Sequence, residues 1–309
     1  MTGLRVTGWG TAVPERIVTN DDLSATLDTS DEWIADRTGI RQRHVGGSTA
    51  GLGAEAGRQA LDRAGITAAD IDFVLLATTT PDQVVPGTAP AIQDALGITG
   101  GAMDVNAACS GFVYALVTAS GLLATGGIKR ILLIGAETLS RFVDWEDRTM
   151  AVLLGDGAGA LVLEATDDEG DLLSWNLGSD GSLKHLLYCD HGSTMQMDGK
   201  EVFRRAVRIV VESANKAVAD AGLTIDDIDL LVPHQANLRI IRAASTRLGM
   251  DEERVAVVIE RYGNTSSASI PLALADALEH GRVTTGDTLL LTGFGGGMTW
   301  ASAVLRWSL

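Results

Sequence analysis

Three side chains that lie far apart in the sequence could together transfer an acyl group. Cys109 lies in ACSGF, where a short apolar segment gives way to a long apolar run, so its thiol is predicted to lie at the start of a helix. The free N–H groups and positive dipole end of a helix lower the pKa of a thiol and favour the nucleophilic thiolate. His234 follows a predicted strand in VPHQAN, and Asn264 lies in the turn GNTSS. A cysteine with a histidine and an asparagine suits acyl transfer through a covalent intermediate.

Each of the three residues also has a purely structural interpretation. Free cysteine is among the most buried residue types, so Cys109 could simply pack in the core. His234 could be an ordinary turn histidine, and a Gly-Asn pair such as the one at Asn264 is common in turns. The residues alone leave these alternatives open.

Two glycine-rich segments differ in what surrounds them. GDGAGA at 155–160 lies within strand-like sequence, so it lacks the following helix that a dinucleotide-binding fingerprint requires. GFGGGMTW at 293–300 follows one predicted strand and precedes another. Its backbone N–H groups could stabilise a developing oxyanion, although it could equally be a plain tight turn.

An internal repeat indicates which elements must position these residues. Segments 60–72 and 217–229 share seven of thirteen residues at an offset of 157, and each leads into a strand. The same offset equates Cys109 with Ser266. We therefore expect an α/β layered fold with two pseudo-symmetric βα halves, 1–166 and 167–309. In such sheets ligands bind at the loops that follow the carboxyl ends of the strands. The apolar helix after Cys109 is expected to lie buried between the layers.

Composition narrows the class of protein. The net charge of −16 argues against nucleic acid as a partner, and no apolar run is long enough to span a membrane. Two cysteines make no disulfide framework and no His/Cys cluster has zinc spacing, so we expect a cytoplasmic protein without a metal. Residues 200–247 nevertheless hold eight of the 24 Lys and Arg residues. These predict either a local basic patch for an acidic partner or merely solvated helix faces.

A set of motifs in one order gives the whole chain a resemblance to a known family. The motifs are TSDEWIADRTGIRQRH (29–44), ACSGF (108–112), GDGAGA, VPHQANLRI (232–240), GNTSSAS (263–269) and FGGGMTW. The chain resembles β-ketoacyl-acyl carrier protein synthase III of the thiolase superfamily. The resemblance implies a thiolase-like fold and a decarboxylative Claisen condensation of an acyl-CoA primer with malonyl-acyl carrier protein. It also implies a homodimer that initiates fatty acid synthesis, with a coenzyme A thioester as substrate and no cofactor.

The resemblance assigns roles to individual residues. Cys109 is implied as the nucleophile, His234 and Asn264 as the pair that acts on the malonyl thioester, and the N–H groups of Cys109 and Gly296 as the oxyanion hole. The resemblance also implies the contacts to coenzyme A. Trp33 and Arg148 would hold the adenine between them, Arg37 would contact a phosphate, and Asn237 would contact the pantetheine. The carrier protein would dock on three arginines, Arg204, Arg239 and Arg247.

Two positions depart from the family pattern and concern the acyl pocket. The family often has Phe where this chain has Leu154, and a bulky aromatic where Val85 lies near the partner subunit's pocket. Both changes remove volume, and the segment between Gly181 and Met197 is shorter than usual, so the length and branching of the acyl chain stay open.

Three rival functions remain to be weighed. A papain-like cysteine hydrolase shares the chain order Cys, His, Asn, but its local sequence around the thiol is absent. A non-catalytic relative would not need the three residues together. A condensing enzyme of secondary metabolism would share every motif, so the sequence leaves this alternative open.

Overall fold

Two mixed sheets, of five and four strands, organise the protein. The structure is a computed structural model that describes residues 3–309. Its strands are β1 (Gly3–Ala12), β2 (Ile17–Thr19), β3 (Gln42–His44), β4 (Phe73–Ala77), β5 (Gly101–Val105), β6 (Arg130–Thr138), β7 (Asp156–Thr166), β8 (Leu172–Ser179), β9 (Leu187–Tyr188), β10 (Gln196–Met197), β11 (Leu230–Pro233), β12 (Thr288–Gly295) and β13 (Thr299–Arg306). Its helices are α1 (Asn20–Ser24), α2 (Asp31–Thr38), α3 (Thr49–Ala64), α4 (Ala89–Leu96), α5 (Gly111–Ala124), α6 (Arg148–Ala151), α7 (Gly199–Asp220), α8 (Leu238–Leu248), α9 (Ile259–Tyr262) and α10 (Ser269–Glu279).

The two sheets repeat one topology. The first has the strand order β1-β7-β6-β4-β5, and the second has β8-β13-β12-β11 when it is read from the equivalent edge. In each, the central pair (β6 with β4, β12 with β11) is parallel and the next two strands are antiparallel. Val255 makes a single parallel bridge to Leu231 in the place of a fifth strand. The predicted α/β fold with two pseudo-symmetric halves is confirmed, while the boundary between 166 and 167, after the end of β7, stays a prediction.

Two helices, α5 and α10, lie between the sheets. Phe112 and Leu116 of α5 are fully buried in one cluster that also contains Ile270 of α10 and residues of both sheets. Burial of such a side chain stabilises the fold by about 1.5–3 kcal/mol. The outer face of the first sheet is covered by α3, and the outer face of the second by α7 and α8. The helix after Cys109 is thus buried, as its all-round apolar sequence predicts.

The two glycine-rich segments form the backbone structures expected of them. All of GDGAGA except Gly155 belongs to β7 itself, which continues as a strand to Thr166 without a helix. GFGGGMTW comprises the end of β12, the turn Gly296–Met298 and the start of β13.

The predicted equivalence of Cys109 with Ser266 is wrong by one residue. The turn Ala108–Ser110 and the turn Ser266–Ala268 are 158 positions apart, and each leads into a buried helix. In each turn an asparagine side chain accepts from the N–H two residues later, Asn106 from Ala108 and Asn264 from Ser266. The offset is 157 at β4 and β11 but has grown to 158 at β6 and β12. Cys109 is therefore equivalent to Ser267, and Ser266 to Ala108.

Candidate active site

A cavity of about 620 Å³ lies where the two halves meet. Cys109 comes from the first half, and Asn264 and Gly296 come from the second, so the cavity wall depends on both. Leu154 lines the same cavity, as do several other apolar side chains, Leu139, Phe142, Met150, Leu153, Met195 and Met197. The cavity therefore combines a thiol and polar groups with an apolar wall, which is the usual composition of a binding site for a small molecule.

Cys109 lies in the turn between β5 and α5, where the sequence predicted it. It is half-buried on the cavity wall, and the preceding Ala108 has a left-handed backbone with φ +48°. Burial raises the pKa of the Cys109 thiol to about 12, and the nearby Glu137 carboxylate raises it further, whereas the Ser266 side chain lowers it. The expected lowering of this pKa at a helix start is therefore wrong for the resting protein, because desolvation of the thiolate outweighs favourable dipoles.

His234 is held as a neutral ring. It directly follows β11, its N–H donates to the Thr292 carbonyl at 2.7 Å, and only 4% of the residue is exposed. Burial lowers the pKa of His234 to about 3, so the imidazole is uncharged at neutral pH. Its Nδ1 atom lies 2.6 Å from the Ser269 hydroxyl, and its ring packs edge-on against Phe294. His234 does not border the open volume of the cavity. Because Ser269 engages Nδ1, Nε2 is the ring nitrogen that has no hydrogen-bond partner among residues 3–309.

Asn264 is fixed by its backbone and its carbonyl oxygen. Its N–H donates to the Leu153 carbonyl, and its own carbonyl accepts from Gly155. Its Oδ1 accepts from the Ser266 N–H at 2.9 Å. Within residues 3–309 its Nδ2 has no acceptor, so this amide is free to donate into the cavity.

Two serines join the asparagine to the histidine. Ser269 Oγ lies 2.6 Å from His234 Nδ1 and 2.8 Å from the Ser266 carbonyl, to which it can donate. A hydroxyl carries one proton, and when Ser269 donates it to Nδ1 the histidine keeps its own proton on Nε2. Sequence reasoning named Ser266 only as a repeat position and did not single out Ser269, although both serines lie in the same GNTSSAS motif as Asn264.

Gly296 and Cys109 share a rim of the cavity. A Cβ on Gly295 would lie 2.5 Å from the Cys109 nitrogen, so the end of β12 approaches the Cys109 backbone too closely for any side chain. Gly296 opens the turn that follows, and both Gly296 and Cys109 line the cavity. The first N–H groups of a helical turn have no acceptor within it, so these two are available to a substrate oxygen.

The residues predicted to bind coenzyme A lie together beside α2. The guanidinium carbon of Arg148 lies 5.0 Å from the centre of the Trp33 ring, and that of Arg37 lies 5.7 Å from it. Arg148 also donates to the Asp28 carbonyl. Arg148 thus already covers the indole ring that the resemblance pairs with an adenine.

Asn237 has a structural role that sequence reasoning did not expect. Its Oδ1 caps α8 by accepting from the Arg239 N–H at 2.9 Å, and its Nδ2 donates to the Arg37 carbonyl at 3.0 Å. The residue therefore joins α8 to the end of α2, and one Nδ2 hydrogen remains for a ligand.

The three predicted docking arginines differ in their partners. Arg204 on α7 pairs with Glu201 at 2.7 Å, which neutralises part of its charge. Arg239 on α8 packs over Phe203, the neighbour of Arg204, so the two arginines lie near each other. Within the described part of the chain, Arg239 and Arg247 have no ion pair. These two exposed arginines of α8 therefore keep a positive charge that no carboxylate among the described residues offsets.

Val85 and Leu154 occupy different kinds of position. Leu154 is buried on the cavity wall and bridges to Asn264. Val84 and Val85 are each 84% exposed, and Val84 borders the cavity. Val85 therefore adds nothing to the cavity of its own chain.

Comparison with known proteins identifies the family. Residues 103–181 match the family described as 3-oxoacyl-[acyl-carrier-protein (ACP)] synthase III, and residues 218–307 match its C-terminal family. A beta-ketoacyl-[acyl-carrier-protein] synthase III of Agrobacterium fabrum is 50% identical over 318 residues, covering 98% of each chain. The chain belongs to the 3-oxoacyl-[acyl-carrier-protein] synthase III family. It is accordingly an acyltransferase with the thiolase fold.

Solved structures of synthase III proteins agree with this assignment. The crystal structure of 3-oxoacyl-[acyl-carrier-protein] synthase III from Aquifex aeolicus has a TM-score of 0.97 and 42% identity, covering 99% of this chain and 100% of that one. A priming beta-ketosynthase from the R1128 polyketide biosynthetic pathway has a TM-score of 0.94 and 37% identity, covering 99% and 97%. The family fold thus serves more than one biosynthetic setting.

Two further features of residues 3–309 concern metals and membranes. No group of three or more His, Cys, Asp or Glu side chains is placed to hold a metal ion. No helix in this range combines the length and the apolar character needed to cross a membrane.

Proposed function

We propose that the protein condenses an acyl-CoA primer with malonyl-acyl carrier protein to give a 3-oxoacyl-acyl carrier protein, the initiating step of fatty acid synthesis. The observation that carries this proposal is the cavity that presents the Cys109 thiol, the Asn264 amide and the Gly296 backbone to one apolar space. Membership of the synthase III family supports it. The reaction needs no cofactor and no metal. Coenzyme A enters only as the thioester substrate.

The first half-reaction transfers the acyl group to Cys109. The sulfur attacks the thioester carbonyl, and the N–H groups of Cys109 and Gly296 stabilise the oxyanion that develops there. The carbon–sulfur bond to coenzyme A then breaks, and the proton lost by Cys109 ends on the departing sulfur. Because the pKa of the Cys109 thiol is raised, deprotonation belongs to the attack itself rather than to the resting state.

The second half-reaction forms the carbon–carbon bond. Malonyl-acyl carrier protein loses CO2, and its thioester oxygen becomes an enolate. His234 Nε2–H and Asn264 Nδ2–H donate to this oxygen, and they stabilise charge that exists only as the reaction proceeds. A neutral His234 suits this role, since its lowered pKa keeps the ring uncharged at neutral pH and an uncharged ring donates the hydrogen bond without giving up its proton. The enolate carbon attacks the acyl group, and Cys109 leaves as a thiolate that is promptly protonated.

Substrate binding would use the surfaces on either side of the cavity mouth. Trp33 and Arg148 would hold the adenine of coenzyme A once Arg148 moves, with Arg37 at a phosphate and the remaining Asn237 hydrogen at the pantetheine. The acidic carrier protein would dock on the basic patch formed by Arg204, Arg239 and Arg247. We place the protein in the cytoplasm, where both substrates are made.

We further propose that the protein is a homodimer in which the loop with Val84 and Val85 reaches the partner's acyl cavity. Two adjacent valines this exposed beside a cavity are costly in water and indicate a partner surface. Light scattering should therefore give twice the chain mass, and Val85→Asp should shift it toward the monomer. A wild-type monomer at working concentration would contradict this proposal.

A second candidate function is priming in a polyketide or related pathway, by the same chemistry. The likeness to the R1128 priming ketosynthase favours keeping it. Leu154 and Val85 are smaller than the aromatic residues that the synthase III family often has at these positions. They therefore leave room for longer or branched acyl groups. Turnover of acetyl-, branched- and medium-chain acyl-CoA with the malonyl-loaded carrier protein of fatty acid synthesis separates the two candidates.

The deciding experiment is acylation followed by condensation. After mixing with acyl-CoA, the intact mass should rise by one acyl group, and malonyl-acyl carrier protein should then discharge it as a 3-oxoacyl product. Cys109→Ala should remain unlabelled. Cys189 lines the same cavity, so Cys189→Ala is the matched control and should label normally. Equal labelling of Cys109→Ala, or release of free acid instead of condensation, would overturn the proposal.

A further inference from the structure

Ser266 has an unusual backbone conformation at the centre of the site. Its φ is +47°, in the left-handed region that side chains other than glycine rarely adopt. The conformation is held on both sides by proposed catalytic machinery. The Ser266 N–H donates to Asn264 Oδ1, and the Ser266 carbonyl lies 2.8 Å from the hydroxyl of Ser269, the serine that contacts His234. Strain that is retained in this way points to a function.

The hydroxyl of Ser266 has no hydrogen-bond partner within residues 3–309. The residue is 2% exposed, so water does not satisfy this oxygen. Burial of an unpaired hydroxyl is unfavourable, and such groups need an explanation. The equivalent residue in the other half, Ala108, has φ +48° and no hydroxyl at all. The turn therefore forms without this oxygen, and the oxygen is not needed for folding.

The Cys109 sulfur is the reacting atom near this hydroxyl. The turns Ala108–Ser110 and Ser266–Ala268 pack against each other, and Ser266 and Cys109 line the same cavity. The Ser266 side chain is close enough to lower the pKa of the Cys109 thiol, although the pair does not yet have the geometry of a formed hydrogen bond. Catalytic hydrogen bonds are often long in an unliganded protein and tighten when the substrate binds.

We propose that Ser266 is a fourth catalytic residue, whose hydroxyl donates a hydrogen bond to the Cys109 sulfur whenever that sulfur carries negative charge. This happens twice in the cycle, as the thiol is deprotonated during attack and as the thiolate leaves after condensation. Ser266 keeps its own proton throughout. In acylation the Cys109 proton ends on the coenzyme A sulfur, and after condensation the Cys109 thiolate takes a proton from solvent. The second of these roles rests on the proposed condensation, whereas the first does not.

The test is the reaction of Cys109 with iodoacetamide, which reports the thiolate without any substrate. Ser266→Ala should slow alkylation at a fixed pH by on the order of tenfold, because one hydrogen bond to a charged group is lost. The pH profile of alkylation should move to higher pH. Ala108 shows that alanine adopts the required backbone, so the thermal midpoint should stay the same or rise. Acylation by acyl-CoA should slow by a similar factor.

Ser110→Ala is the matched control. Ser110 is also a buried serine beside Cys109, but its hydroxyl is satisfied by the Ala107 carbonyl and by Thr299. This variant should lose thermal stability and keep the wild-type pH profile of alkylation.

Three results would overturn the assignment. One is an unchanged alkylation profile in Ser266→Ala. Another is an equal slowing in both serine variants, which would indicate general loosening of the turn. The third is normal alkylation with slow condensation, which would assign the hydroxyl to the malonyl substrate. Because alkylation needs neither acyl-CoA nor carrier protein, failure of the proposed function would appear separately, as absent condensation with the alkylation result intact.

Discussion

At Cys109 the surroundings favour the protonated thiol. Besides burial, the carboxylate of Glu137 acts against ionisation of this sulfur. Glu137 is fully buried and accepts hydrogen bonds from the hydroxyls of Thr79, Thr80 and Ser267, with no basic partner among the described residues. The fold thus places a negative charge near a nucleophile that must become negative. This arrangement favours a protonated resting thiol and prompt reprotonation after condensation.

The raised pKa of Cys109 makes a prediction for pH. At every pH below the pKa of a thiol, the thiolate fraction rises about tenfold per pH unit. Alkylation of Cys109 by iodoacetamide should therefore rise by that factor from about pH 7 to pH 10 without a plateau. Glu137→Gln should shift the profile to lower pH, because it removes the opposing charge. A plateau below about pH 8 in the wild type would show that the helix start dominates instead.

Asn264 should matter for condensation far more than for acylation. In Asn264→Ala the enolate loses one donor, and the condensation rate should fall by on the order of 10² to 10³. Labelling of Cys109 by acyl-CoA should persist in single-turnover mass measurements. Impaired acylation with normal condensation would reverse the roles assigned to the two half-reactions.

At the scale of elements, the site depends on how closely β12 approaches the turn that carries Cys109. Gly293 and Gly295 both face this turn, and a Cβ on Gly295 would lie 2.5 Å from the Cys109 nitrogen and 2.8 Å from the Ala108 side chain. The two buried helices start from equivalent turns, so the two sheets set the separation of Cys109 and Asn264. The site is therefore sensitive to backbone positions as well as to its reactive side chains.

Gly295→Ala tests this close approach. The added methyl group must displace the backbone of the turn, so acylation of Cys109 should fall by at least about tenfold, as small misplacements of reacting groups do. Gly121→Ala in α5 is the control, because a Cβ there meets nothing within 4 Å. The control should acylate normally and stabilise the helix by about 0.5–1 kcal/mol, measured by thermal or urea unfolding. Full activity of Gly295→Ala would contradict the geometry.

At the scale of the whole molecule, net charge and its distribution determine how a charged protein partner could dock. The chain carries a net charge of −16, so the proposed acidic carrier protein would be repelled at long range and would need a local attraction to dock. Arg239 and Arg247 supply positive charge that no ion pair within residues 3–309 offsets, while Arg204 shares its charge with Glu201. The patch is small, and its effect should depend strongly on salt.

Charge reversal should separate docking from chemistry. Arg239→Glu and Arg247→Glu should raise the apparent KM for malonyl-acyl carrier protein more than Arg204→Glu does, and added salt should raise the wild-type KM. Labelling by acyl-CoA should change little in Arg247→Glu. Arg58→Glu on α3, which pairs with Glu55, is a control that should leave the KM unchanged. Equal KM values in all variants would place docking elsewhere.

The sequence by itself determined the chain's architecture and singled out its candidate reactive residues. The repeat at 60–72 and 217–229 predicts the two halves because strand and helix patterns are local, and a turn after a strand places Cys109, His234 and Asn264 near sheet ends. The motifs that carry the family resemblance are likewise short runs of sequence. Even so, the one-residue growth of the offset, which pairs Cys109 with Ser267, became visible only in strand register.

The tertiary structure alone decided how those residues are charged and what touches them. The pKa values of Cys109 and His234 move in directions that depend on burial, and for Cys109 on Glu137, and neither is readable from neighbours in sequence. The contact of Arg148 with Trp33 and the unpartnered hydroxyl of Ser266 arise between segments far apart in the chain. The physical reason is that local sequence sets backbone conformation, whereas desolvation and electrostatic interactions act through space and depend on the packed fold.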